Sequence, residues 1–147
     1  MNFSTMHKSA RIMAFGACAT LAFACVACSP DPIIWGSDGA QVRAVTDQII
    51  EDVETSGSST KICSDANVDL GASTAWKHLA AGEPEQYTGD QWEKYADIDP
   101  TWLINLSSTD TQEADGSREV PAYLFYRGSG DELCVAAIEW GELATTP

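Results

Sequence analysis

Apolar positions along this chain fall into three regimes, and each predicts a different kind of structure. Residues 12–27, IMAFGACATLAFACVA, form an uncharged run behind a short segment that carries Lys8 and Arg11 and no acid. As a helix its 16 residues span roughly 24 Å, short of the ~30 Å hydrocarbon core of a bilayer. A basic start followed by an apolar core of this length predicts a secretory signal over residues 1–27 rather than a permanent span. In the second regime Val42, Val45, Ile49, Ile50 and Val53 recur at helical spacing, while Arg43, Asp47, Glu51 and Glu54 occupy the opposite side. That pattern predicts an amphipathic helix with one buried stripe. Asp38 is placed to cap it, Gln41 completes a capping-box pattern three residues on, and TSGSST at 55–60 ends it.

The third regime has period two. Residues 102–106 place Trp102, Ile104 and Leu106 on one face, 120–127 is apolar on both faces, and 133–140 is a further β-branched and aromatic run. Turn-forming clusters at 107–117 and 128–131 separate the runs, which predicts an antiparallel meander. Between helix and meander the pattern is weaker. Residues 73–81, with Trp76 and Leu79 and with Gly82 and Pro84 as terminators, read as a short helix, and 90–96, with Asp90 as cap, as another. The expected class is therefore α+β: an N-terminal helix packed on a three- or four-stranded antiparallel sheet. This order of elements resembles the cystatin-like or NTF2-like group of folds, a likeness that implies architecture and no activity.

The end of the apolar run bears on location. Val26-Ala27-Cys28-Ser29 resembles the lipobox of bacterial lipoproteins, in which the cysteine is lipidated and becomes the mature N-terminus; Cys25 stands where that motif usually has Leu. Two other outcomes stay open at this point, cleavage after Ala22-Phe23-Ala24 and an uncleaved anchor. With Cys28 lipidated, residues 28–36, rich in proline, form a tether and 37–147 a single extracytoplasmic domain. More than one acyl chain on that cysteine holds a protein stably on a membrane.

Charge and cysteines sharpen this picture. All 22 acids but only six of the eight Lys and Arg lie after Cys28, so that part carries a formal charge of −16. Nucleic acid is not an expected partner, because its recognition rests on basic neutralisation of phosphate. Cys18 and Cys25 fall within the signal, which leaves Cys63 and Cys134 to pair in an oxidising compartment. The Cys25-x-x-Cys28 spacing lies in the signal and lacks the surroundings of a redox site.

Candidate chemistry is sparse. Asp65, Asn67 and Asp69 place oxygens at alternate positions, as at the start of a calcium loop. Leu70 stands where such a loop has Gly and Trp76 where it has a bidentate Glu, so an Asx-rich turn is the competing reading. His78 is the one histidine after the signal, expected at the surface or half-buried on a turn from Trp76 to Leu79, and neither Gly-x-Ser-x-Gly nor His-Glu-x-x-His occurs. No catalytic residue and no cofactor is assigned; the composition leaves open a carboxylate-pair hydrolase. Trp76, Trp92, Trp102 and Trp140 are expected in the core and Trp35, beside the tether, at the surface.

Taken together, Val26-Ala27-Cys28-Ser29, the capped first helix, Gly82-Glu83-Pro84-Glu85, Pro100-Thr101-Trp102-Leu103-Ile104-Asn105-Leu106 and the Cys63/Cys134 pair resemble small uncharacterised lipoproteins of high-GC Gram-positive bacteria. The resemblance implies a membrane-anchored extracytoplasmic protein, with an envelope protein or a small ligand as partner, and carries no catalytic residue.

Overall fold

The computed structural model describes residues 31–109 and 118–143; the signal, Cys28 and the start of the tether lie outside them. Helix α1 (Asp31–Ser56) is broken once, at Gly36, whose φ of 72° and ψ of 177° are not helical. The segment read as a tether is thus helical from Asp31 to this break. Beyond it, Val42, Val45, Ile49, Ile50 and Val53 are all buried, as their spacing predicts. Gln41 does not close a capping box; its amide donates to the Gly130 carbonyl at 2.7 Å, joining the helix to the last turn of the sheet. The helix ends where Gly57, at φ 72°, donates its N–H to the Val53 carbonyl at 2.9 Å.

Four strands follow: β1 (Leu79–Gln86), β2 (Trp102–Ser108), β3 (Arg118–Arg127) and β4 (Cys134–Leu143). They form one antiparallel sheet in the order β1-β2-β3-β4. The chain is therefore α+β, one helix on a four-stranded antiparallel sheet. Between sheet and helix, Ile104, Leu106, Val120, Leu124 and Tyr126 meet the aliphatic stripe of α1, and Trp76 closes the core from its own short turn.

Two elements differ from their sequence reading. Only Ser73–Trp76 is helical in the segment 73–81, as a single 3-10 turn, and the chain then enters β1 through His78 at φ 61°. Gly82 and Pro84, read as helix terminators, lie inside that strand. Ala81 pairs with Leu106 and Pro84 with Ile104, so Gly82 and Glu83 face Asn105 alone, in a bulge. The Asn105 amide oxygen accepts the Glu83 N–H at 3.1 Å. A Cβ on residue 82 would lie 2.2 Å from that oxygen, so a larger residue there would displace the Asn105 amide. Pro84 is tolerated because β1 is an edge strand. The second predicted helix, 90–96, is a 3-10 segment at Glu93–Ile98, preceded by Trp92 and not capped by a side chain.

Cys63 and Cys134 are joined by a disulfide, with an S–S distance of 2.00 Å across 71 positions of sequence. The chain beside it adds a short parallel pairing: Val135 donates to the Lys61 carbonyl at 2.8 Å and its own carbonyl accepts the Cys63 N–H at 2.9 Å. Together they fasten the connection after α1 onto the start of β4.

Candidate functional site

The chain from Cys63 to Trp76 starts at the disulfide at the head of β4 and meets Trp140, further along that strand, at Gly71. Its three candidate calcium ligands do not act together. Asp65 pairs with the Arg127 guanidinium, whose hydrogen bond holds the carboxyl below the usual carboxylate range. Asp69 accepts the Gly71 N–H at 2.9 Å, closing an Asx turn, and Asn67 is exposed. Among the described residues, no group of three or more His, Cys, Asp or Glu side chains is placed to hold a metal ion.

The turn formed by Asp69 has another consequence. It turns Leu70 inward, where its carbonyl accepts the Trp76 indole N–H at 2.7 Å, and brings Gly71, at φ 61°, down on Trp140. A Cβ on Gly71 would stand 2.5 Å from the Trp140 ring, so backbone and indole are in direct contact. Beside this contact a cleft of about 280 Å³ opens to solvent, lined by Asp69, Gly71, Ala72, Ala75, Glu119 and Trp140. An indole with carboxylates around it attracts a cationic group, both through the ring quadrupole and by direct charge. Sequence reading missed this cleft, because Asp69, Glu119 and Trp140 are far apart in the chain. A second, broader cleft of about 520 Å³ is lined by Glu54, Lys77, His78 and Leu79. His78 is exposed there, on the turn predicted for it, and its carbonyl accepts the Thr109 N–H at 2.7 Å.

The sheet face away from α1 carries a further cluster of aromatic residues. Tyr87, Trp92 and Tyr95 pack over Phe125, with ring centroids 6.4, 5.3 and 4.0 Å away, and Trp92 also meets Tyr123 at 4.8 Å. These rings cover Leu103 and Phe125, which are buried and paired in register. The cluster is therefore a second small core. At its border Glu139 takes a hydrogen bond from Lys94 at 2.6 Å and another from the Tyr95 hydroxyl. Those two bonds, Lys94 first, hold the Glu139 carboxyl below its usual range. Burial, with Glu139 beside it, pushes the Tyr95 phenol up.

Tryptophan placement matches expectation fully at Trp76 alone. Trp76 is fully buried, whereas Trp92, Trp102 and Trp140 are half-buried. Trp35, expected to be exposed, is half-buried too, with the Arg43 guanidinium 5.1 Å from its ring centroid and its Cβ pressed against Gly39.

Fold and clefts together define a small acidic α+β domain, closed by one disulfide and carrying an aromatic, carboxylate-lined surface cleft. No family model, curated protein or solved structure matches the chain. The likeness to cystatin-like or NTF2-like folds accordingly rests on the order of elements alone. Among the described residues no helix is long and apolar enough to cross a membrane.

Proposed function

We propose that this chain is a membrane-anchored extracytoplasmic lipoprotein whose domain serves as a binding module at the cell envelope. The observation that carries the reading is the Cys63–Cys134 bond, because such a bond persists in oxidising compartments and is rare where thiols are kept reduced. It agrees with the export signal over 1–27 and with Cys28 as the lipidated residue. The acid excess adds a constraint on partners, since it opposes nucleic acid and favours a basic or neutral surface.

Intact-mass analysis of the protein from membranes and from supernatant tests this. The expected product begins at a diacylated Cys28 and is lighter by two hydrogens than the dithiol form. A cytosolic product with Met1 retained and with Cys63 and Cys134 as free thiols overturns it. A soluble product that begins at Cys25 replaces the anchor with secretion.

The Trp140 cleft favours a second reading, a binder of a small cationic ligand. Thermal melts with calcium and, separately, with an alkylammonium salt discriminate between ligands, since anything that binds the folded state alone raises Tm. Unchanged melting at millimolar concentrations of both removes this reading.

A further inference from the structure

Ile33 and Ile34 are 88% and 64% exposed, whereas the large aliphatic residues of α1 beyond Gly36 are buried. Water is a poor resting place for two adjacent isoleucines. They stand on the turn ahead of Gly36, where the helix breaks, and a Cβ at Gly36 would meet nothing within 4 Å. Among the described residues, nothing fills the space beside the break.

We infer that this first turn lies in the membrane interface, with Ile33 and Ile34 set among the lipid headgroups and Trp35 beside them. The inference rests on lipidation of Cys28, which fixes the occupant. Ile33 follows Cys28 by five positions, at most about 18 Å of fully extended chain. The headgroup region is itself roughly 5–8 Å deep on each side of the hydrocarbon, so an acylated Cys28 keeps the turn within reach of it. Anchoring makes insertion an intramolecular event, with an effective concentration on the order of millimolar. Tryptophan prefers this level of a bilayer, and the Arg43 guanidinium over the Trp35 ring adds positive charge near lipid phosphate. The acid-rich remainder of the chain is repelled by anionic lipid, which orients the domain with this end down. A second copy of the chain is the weaker occupant, since two side chains fall far short of the ~800 Å² per partner that a stable dimer buries. The tether thus seats the domain on the membrane rather than holding it away.

The test uses the full lipidated protein in phosphatidylethanolamine–phosphatidylglycerol vesicles, with p-benzoylphenylalanine placed at position 33 and, as control, at exposed position 48. Irradiation is expected to give a protein–lipid adduct from position 33 and none from position 48. In the protein without the probe, amide exchange over residues 33–36 is expected to slow about tenfold on vesicles relative to unacylated protein in solution. The Ile33→Ser/Ile34→Ser double variant should lose that slowing. An acylated Cys28 with no lipid adduct at position 33, or a protein–protein adduct there, overturns the inference and leaves the lipoprotein reading intact. Unmodified Cys28 in the same mass spectrum overturns both.

Discussion

Thr46 sits within the aliphatic stripe of α1 yet is fully buried. Its hydroxyl is bonded to the Val42 carbonyl at 2.8 Å and to the Tyr126 hydroxyl at 2.6 Å, so neither polar group is left unpaired in the core. Burial pushes the Tyr126 phenol up, with the Thr46 bond acting against it. Thr46→Val removes the partner of a buried phenol and is expected to cost about 1–3 kcal/mol in urea denaturation. Tyr126→Phe should cost less, because the Thr46 hydroxyl keeps its bond to Val42. Equal losses would contradict that asymmetry, and the double variant measures the coupling itself. Gly82→Ala sets a methyl against the Asn105 amide and is expected to cost about 1–3 kcal/mol. Combined with Asn105→Ala the loss should fall short of the sum of the two single losses, because the clash is gone once the amide is gone. Neither site was legible in the sequence: Thr46 resembles any threonine in a helix, and Gly82 resembles a helix stop.

At the scale of elements, α1, β2, β3 and β4 were readable because each carries its own period, 3.6 or 2, over enough residues to outweigh local exceptions. β1 was not readable. Its Gly and Pro are breakers locally, and only pairing with β2 makes them a bulge and an edge position. The disulfide couples elements that hydrogen bonding joins through a few residues alone. Its closed loop limits the unfolded chain by about 4 kcal/mol from chain entropy, so the Cys63→Ala/Cys134→Ala variant should lose roughly 2–5 kcal/mol in denaturant melts. Glu139 ties β4 to the Glu93–Ile98 turn. Because its folded pKa lies below the unfolded value, its stabilisation is present above that value, about 4.3, and disappears as pH falls through the folded pKa. Glu139→Gln is therefore expected to be less stable than the parent at neutral pH and to approach it in acid, as read by Tm against pH. A gap that stays constant down to low pH would contradict the assignment.

For the molecule as a whole, charge is the dominant long-range effect. The formal −16 after Cys28 is self-repulsive, whereas the part-exposed pairs Asp65–Arg127 and Lys94–Glu139 are screened by solvent and offset little of it. Raising the ionic strength from about 0.01 M to about 0.15 M shortens the screening length from ~30 Å to ~8 Å. Melting should accordingly move to higher temperature with salt, and a fall in Tm would mean that the pairs outweigh the repulsion. By itself the sequence determined the α+β class, the buried stripe of α1, the pairing of Cys63 with Cys134 and the acidity, because these follow from local period, composition and elimination. Only the tertiary structure decided that β1 is a strand and that Asp65 and Asp69 serve different partners. It likewise placed Trp140, Gly71 and Glu119 around one cleft and left Ile33 and Ile34 without cover. Each of these depends on which residues distant in the chain meet, and contact between distant residues leaves no periodic trace in the sequence.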